Sequence, residues 1–407
     1  MAIKRCADDP VSPRLRMAKR IVIKPPPPGF DQPDLPSDVI ISILSWLPVK
    51  SLVRFKSVCR GWQAMLSEPG FIYAHLECSK KRRPSLLMVP CGYDPNDIQK
   101  NQDDSTFCMG FYRYHIGDKE ELIHLQKLPQ GIALWSSPLH CNGLILISTT
   151  REELMICNPA TREFVTLPER KHERYAFPRV GFGFDPCSKK YKVARFFYQR
   201  LTPSYDLVCK FEVLTVGSNI WRQTVDPPYW ICGQTPVHVN GYIYWTCAGN
   251  PSCPVPPKSF LRFSLTDEEF SLVPYPPSHL KPARFVQLES ELSCVCLGFT
   301  KLDLEIWNLN FGFDQTPEWN RRWTTMISPD LIVELPQCRA TRPPRVILHE
   351  DTWLLTEERN VYRYDTHTSE IVKISSGVQD TTYNDPTSQK QVILHLSNYA
   401  ESLVQIR

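Results

Sequence analysis

The stretch Leu35–Trp62, LPSDVIISILSWLPVKSLVRFKSVCRGW, decides how the rest of the chain is read. Its apolar period is helical: Ser37 or Asp38 can cap a helix in which Val39, Ile40, Ile43, Leu44 and Leu47 recur at three- and four-residue spacing, and Pro48 ends it. A second helix is expected from Lys50 or Ser51, with Leu52, Phe55, Val58 and Cys59 on its apolar side. A third carries Trp62, Met65 and Leu66 and stops before Pro69. Below about forty residues a lone core is usually inadequate. Leu35, Pro36, Ile40, Leu47, Pro48 and Leu52 also offer more apolar surface than three short helices can bury among themselves. Either the rest of the chain covers this bundle, or another protein docks on it.

The 407 residues are 42% hydrophobic and 11% aromatic, enough apolar material for a large core. With 47 basic against 43 acidic residues the net charge is +4, so bulk electrostatics argue for neither nucleic acid nor an anionic membrane as partner. The fifteen cysteines contain no C-x-x-C pair and read as reduced, mostly buried thiols. Lys4, Arg5, Arg14, Arg16, Lys19, Arg20 and Lys24 precede no apolar run of the secretory type, and no segment approaches the roughly eighteen apolar residues of a membrane span. A cytosolic or nuclear location is expected.

Residues 1–32 mix basic residues with proline, ending in Pro25–Pro28, and read as an extended, solvated tail. The bundle occupies 33–76, and the basic run Lys80–Arg83 falls in a linker, 77–84. From 85 to 407 helical periodicity gives way to short alternating strands such as FEVLTV, GYIYWTC and VYRYDT. Apolar strands begin near Gly143, Tyr191, Gly241, Leu292 and Thr352, at intervals of 48, 50, 51 and 60. Hairpin turns near Thr161, Ser218, Asp267, Thr316 and His367 recur at 57, 49, 49 and 51. A shared period of about fifty is near the kelch value. Each unit is drawn as an inner strand, a second strand, a tight turn and an outer strand. Residues 86–129 fit an earlier unit. Such units cannot hide their faces alone, so a radial β-propeller of about six blades is expected, with Val392–Leu396 and Ser402–Ile406 either closing the ring or adding an imperfect seventh.

The ordered set Leu35-Pro36, Asp38, Ile40, Ile43-Leu44, Leu47-Pro48, Ser51-Leu52, Arg54-Phe55, Val58-Cys59, Trp62, Pro69, Phe71 and His75-Leu76 resembles an F-box. Ser42 departs from it, since plant members often carry an acidic residue there, on the polar side. The motifs CNGLILI, CNPATREFVTLP, GFGFDP, YKVARF, EVLTVGSNIWR, VHVNGYIYW, FLRFSLTDEEFSLVPYPP, LEIWNL and VYRYDTHTSEI, in that order, resemble the F-box-associated, kelch-like domain of plant F-box proteins. Cys157 stands where that family usually has tryptophan. The resemblance implies the substrate-recognition subunit of a Skp–cullin–F-box ubiquitin ligase. It assigns contact with the Skp-type adaptor to Leu35, Pro36, Ile40, Leu44, Leu47, Pro48, Leu52, Val58, Cys59 and Trp62, and reaches a cullin through the adaptor. An interaction scaffold that binds the adaptor without delivering a substrate is the alternative.

No G-x-S-x-G elbow, G-x-x-x-x-G-K-[ST] loop or H-E-x-x-H helix occurs, so neither catalysis nor a cofactor or metal is expected. His124, His238 and His349 sit in or beside strand patterns and read as structural. Among the longer connections, Asp226–Pro236 and Phe311–Trp323 are rich in the residue types that dominate protein interfaces. Tyr229, Trp230, Trp319, Arg322 and Trp323 are therefore the candidate substrate contacts, on two loops that could share one face of the disc, the sequence not fixing which end each loop occupies. The competing reading has these aromatics packed between blades.

Overall fold

The computed structural model describes residues 36–82, 85–93, 107–114, 121–128, 138–149, 153–169, 179–200, 207–249, 257–288, 290–298, 303–312, 316–326, 345–349, 352–357, 360–365, 368, 371–374 and 391–406. The tail 1–32 lies outside them, as does Leu35.

The N-terminal segment forms four helices: α1 (Ser37–Ser45), α2 (Val49–Phe55), α3 (Arg60–Met65) and α4 (Pro69–Lys80). The expected three become four because Pro69 starts a helix instead of ending one. At the first helical position a missing N–H costs nothing, and the ring presets φ. α4 then runs through the first half of the expected linker. Pro36, not Ser37 or Asp38, occupies the N-cap of α1, and no side chain caps it, while Asp38 sits in the first turn where the helix dipole favours a negative charge. Cys59 heads α3, its Sγ accepting the Trp62 N–H at 3.4 Å. The bundle's core is Leu44, Val49, Leu52, Leu66 and Phe71, joined by Leu403 from the other end of the chain.

The remainder is a β-propeller of four-stranded antiparallel sheets, six of them among the described residues. The first contains β1 (Ser85–Tyr93), β2 (Phe107–Tyr114) and β3 (Glu121–Leu128). The second is β4 (Leu139–Cys141), β5 (Leu144–Ser148), β6 (Leu154–Asn158) and β7 (Glu163–Thr166). The third is β8 (Arg179–Asp185), β9 (Lys190–Arg200), β10 (Leu207–Thr215) and β11 (Arg222–Gln223). The fourth comprises β12 (Trp230–Val239), β13 (Tyr242–Ala248), β14 (Ser259–Ser264) and β15 (Phe270–Pro274). The fifth has β16 (Lys281–Leu288), β17 (Glu291–Leu297), β18 (Asp303–Phe311) and β19 (Pro317–Met326). The sixth is β20 (Arg345–His349), β21 (Thr352–Glu357), β22 (Asn360–Asp365) and β23 (Ile371–Ile374). The last strand, β24 (Gln391–Tyr399), returns to the first sheet and pairs with β1 from Ser85↔Tyr399 to Tyr93↔Gln391.

The expected repeat was one strand short. The landmarks Gly143, Tyr191, Gly241, Leu292 and Thr352 mark the second strand of each sheet, and a first strand precedes them. Those first strands, from β4 through β8, β12, β16 and β20 to β24, line up side by side around the ring. The turn landmarks Thr161, Ser218, Asp267 and Thr316 fall between third and fourth strands, while His367 lies outside the described residues. Each junction between sheets has its own apolar cluster. Phe211, Trp245 and Phe263 fill the one between the third and fourth sheets, and Leu86, Leu354 and Leu396 the one between the sixth and first. Cys157 is fully buried between the first and second sheets, where burial holds its thiol far above the ordinary range.

Two buried charge groups tie strands together. Arg195 donates to Glu212 Oε2 from Nε at 3.1 Å and from a terminal nitrogen at 2.9 Å, and its guanidinium lies 3.9 Å from the Trp221 ring centre. Lys192 meets Asp185 and Glu268, each at 3.1 Å, joining the third sheet to the fourth. Burial pushes the Asp185 carboxyl up, but hydrogen bonds from Ser188, Thr266, Lys192 and the Cys187 amide hold it at about 2.

Candidate interaction surfaces

Helix α1 carries two apolar stripes offset by one residue. Ile40, Leu44 and Leu47 pack on the bundle core. Val39, Ile43 and Trp46, spaced four and three, point outward, and Ile43 and Trp46 are each 51% exposed. Val53, Val58 and Tyr73 are exposed as well, as are Pro36 and Pro48. One stripe suffices to seat a surface helix, so the second asks for a partner.

The residues expected at the adaptor divide accordingly. Pro36, Pro48 and Val58 are exposed; Ile40, Leu47, Cys59 and Trp62 are half-buried. Leu44 and Leu52 are core residues with almost no surface left to offer, which removes them from any contact face. Val39, Ile43, Trp46 and Tyr73 are the exposed apolar residues outside that expected set; the first three follow from the doubled stripe of α1, and Tyr73 depends on α4, which the sequence reading does not include.

On the propeller, strand direction sorts the connections onto two rims. In the second to sixth sheets the turn between first and second strands and the turn between third and fourth lie at one end, and all other connections at the opposite end; in the first sheet the start of β1 and the end of β24 share the first of these ends. The helical bundle sits on the first of these, the near rim. Asn158, at the end of β6, donates through Nδ2 to Ser402 O and Val404 O at 3.0 and 2.9 Å, and Ala160 in the β6–β7 turn packs against the bundle core. The near rim is built of short connections, from the Asn142–Gly143 turn to residues 216–221. The strand ends that bound 94–106, 129–138, 167–178, 249–258, 327–344 and 375–390 lie at the far rim.

The substrate candidates do not come together. Trp230 opens β12 at the far rim, with its ring edge-on to Tyr198 at 5.1 Å, and both it and Tyr229 pack on the core between the third and fourth sheets. Trp319 lies near the start of β19, at the near rim, where Nε1 donates to Pro274 O at 2.8 Å and the ring packs 6.3 Å from Phe260. Trp323 stands edge-on to Tyr364 at 5.2 Å, between the fifth and sixth sheets. Arg322 is exposed beside it on β19. The tryptophans are inter-sheet packing: Trp230 lies between the third and fourth sheets, Trp319 between the fourth and fifth, and Trp323 between the fifth and sixth. Trp319→Ala should therefore lower the melting temperature, by the equivalent of about 2 kcal/mol for a half-buried aromatic. Calorimetry beside the wild type checks this, and an unchanged midpoint would return Trp319 to the surface.

The near rim also holds a pair of repeated turns. In LHCNG and VHVNG the histidine ring accepts an amide proton from the glycine three residues on: His140 Nε2 from Gly143 at 3.1 Å, His238 Nε2 from Gly241 at 3.3 Å. Asn142 and Asn240 take positive φ, 52° and 48°, and the glycines 83° and 84°. The chain reverses there in two residues. Burial lowers both imidazoles to about 4, with the Lys80 charge adding to the effect. Cys141 Sγ lies 3.7 Å from His238 Nδ1, and burial pushes that thiol up to about 12. No group of three side chains able to hold a metal occurs among the described residues, nor a helix long and apolar enough to cross a membrane. His124 and His238 both lie within strands.

A four-helix bundle presenting an apolar stripe, set on one rim of a β-propeller, has clear relatives. Residues 115–406 match the F-box associated beta propeller domain and residues 32–79 an F-box-like domain. The chain belongs to the F-box proteins with an F-box-associated propeller. It is 27% identical over 300 residues to F-box protein At3g07870 of Arabidopsis thaliana, covering 66% of this chain and 68% of that one. It is 28% identical over 295 residues to F-box protein At5g18160 of the same plant, covering 71% and 69%. F-box/kelch-repeat protein At2g43445, also from Arabidopsis thaliana, is 24% identical over 84% of this chain and 80% of its own. In two further Arabidopsis relatives the match spans 59% and 54% of their length.

Proposed function

We propose that the chain is the substrate receptor of a Skp–cullin–F-box ubiquitin ligase, holding a Skp-type adaptor on its helical bundle and a protein substrate on its propeller. One observation carries this reading. The bundle's core is already complete within the chain, and α1 still exposes the stripe Val39, Ile43 and Trp46. Pro48, Val53 and Val58 extend the apolar surface beyond it. The far rim is the natural place for the substrate, because recognition concentrates in longer loops on a rigid scaffold. Such a receptor needs no chemistry of its own. It raises the effective concentration of a substrate lysine near the ubiquitin carrier.

The test replaces Ile43, Trp46 and Val58 together by alanine in the full chain. These side chains are exposed, so the melting temperature should stay within a degree or two of wild type. Truncating a single interface hot spot costs about 2 kcal/mol, roughly thirtyfold in affinity. Capture of a purified Skp-type adaptor should therefore fall by at least that factor, and undiminished capture would refute the reading. If adaptor capture behaves as expected but no bound protein rises in abundance when the chain is lost, the scaffold alternative is the better description.

A further inference from the structure

We infer that residues 400–406 are an integral part of the helical bundle, and that they couple its adaptor-facing corner to closure of the propeller ring. The adaptor clause rests on the function proposed above; the coupling itself rests on geometry.

Leu403 is fully buried in the bundle core beside Leu44, Val49, Leu52, Leu66 and Phe71. Two residues earlier, Glu401 gathers three partners from separate elements. Its Oε1 accepts the Val49 N–H at 3.2 Å and Arg82 at 3.0 Å, and its Oε2 accepts Arg113 at 2.7 Å. Arg82 also donates to Leu47 O at 2.8 Å and Ser45 O at 3.4 Å. His75 Nε2 lies 2.9 Å from that same Leu47 oxygen. The α1–α2 corner that displays Trp46 is thus held at the carbonyl end of α1 by Arg82 and at the first amide of α2 by Glu401. Neutralising Glu401 would leave two partly buried guanidiniums with no shared counter-charge.

The same short segment is fastened to the propeller. Asn158 binds the Ser402 and Val404 carbonyls, the Ile406 N–H donates to Glu163 Oε1 at 3.2 Å, and Ile406 enters the core between the second and third sheets. At Gly143 a Cβ would come within 2.4 Å of Ser402 Oγ and 2.9 Å of Ala400 O, so this near-rim turn is shaped to the segment. Directly before it runs β24, whose pairing with β1 joins the two ends of the ring. The bundle therefore completes its core with residues whose position depends on β24 being in place.

The experiment uses the full chain, Glu401→Gln and Leu403→Ala, read by hydrogen exchange and by capture of a purified Skp-type adaptor. In Leu403→Ala, peptides from 37–80 should lose protection at least tenfold, while those from 242–311, remote from the segment, keep theirs. In Glu401→Gln the loss should centre on residues 45–56, and adaptor capture should weaken at least tenfold in both variants. Unchanged protection across 37–80 overturns the inference. Lost protection with wild-type adaptor affinity overturns the coupling. If Leu403→Ala fails to fold, Glu401→Gln, which opens no cavity, decides by the same two readouts. A wild-type chain that captures no adaptor sinks the proposed function alone, since exchange still reports whether the segment orders the bundle.

Discussion

A chain ended after Gly377 should not give a soluble protein with a sharp melting transition. The cut removes β24, and with it the whole register from Ser85↔Tyr399 to Tyr93↔Gln391. β1 then becomes an open edge, with a row of unpaired amides and carbonyls facing the ring's interior. Leu396 and Tyr399 leave the junctions on either side of the first sheet, and Leu403 and Ile406 leave the bundle and the second–third sheet core. Loss of a single buried leucine costs about 2–5 kcal/mol, and a domain's whole stability is about 5–15 kcal/mol, so four such losses exceed what the fold can absorb. Size exclusion and calorimetry on fragments 36–377 and 36–407 make the comparison. A monomeric 36–377 fragment with one cooperative transition would mean that the ring stands without its seam.

Acidification should destabilise the protein before its carboxylates titrate. His140 and His238 sit at about 4 in the folded state, against an ordinary value of about 6.5. Between those values the unfolded chain binds more protons than the folded one, so stability falls as pH falls and levels off below about 4. The direction agrees with geometry at His140, where protonation turns the ring nitrogen that accepts the Gly143 amide into a donor facing a donor; at His238 burial outweighs the Phe184 carbonyl, which lies 3.2 Å from the same nitrogen and favours the protonated ring. Both rings keep some solvent contact. That screening brings the loss to about 2 kcal/mol per histidine, below the value that the full shift would give. His75, lowered chiefly by burial, adds in the same direction. Asp185, held at about 2, acts at lower pH. Denaturant melts at pH 7, 5.5 and 4.5 should show a steep decline in the wild type. A His140→Gln, His238→Gln variant, weaker at pH 7, should show a flatter one. Equal midpoints for the wild type at pH 7 and 4.5 would rule the mechanism out.

Much of this architecture could be read from residue patterns, and the failures have specific causes. The bundle announced itself through helical spacing, yet α4 was lost because proline was read as a stop; its meaning depends on whether the chain before it is already helical. The propeller's period is legible from its turns, but the repeating unit is drawn from its second strand: β4, at Leu139–Cys141, is too short to carry an alternation, and the longer β8, β12, β16 and β20 fall at the end of the preceding interval. Leu52 is expected to face outward because a short bundle has too little core to bury it, and Leu44 because the F-box resemblance implies it. The missing cover, Leu403, lies more than three hundred residues away in sequence, and no local pattern connects the two. Trp319 and Trp323 looked like exposed anchors because composition does not report facing; their partners, Pro274 and Tyr364, come from neighbouring sheets.

The division of the propeller into two rims sets what can change in this chain over time. Near-rim turns hold strand register and seat the bundle, so an inserted residue at Asn142–Gly143 would shift β4 against β5 and displace the Ser402 contact together. Among the described residues, the contacts that seat the bundle come from near-rim turns and strand ends. Lengthening a flexible loop costs only about 0.6 kcal/mol for each doubling, so the far-rim connections can be extended, shortened or exchanged almost independently of the fold. Over time the far rim can thus diversify while the near rim, tied to the bundle, stays fixed.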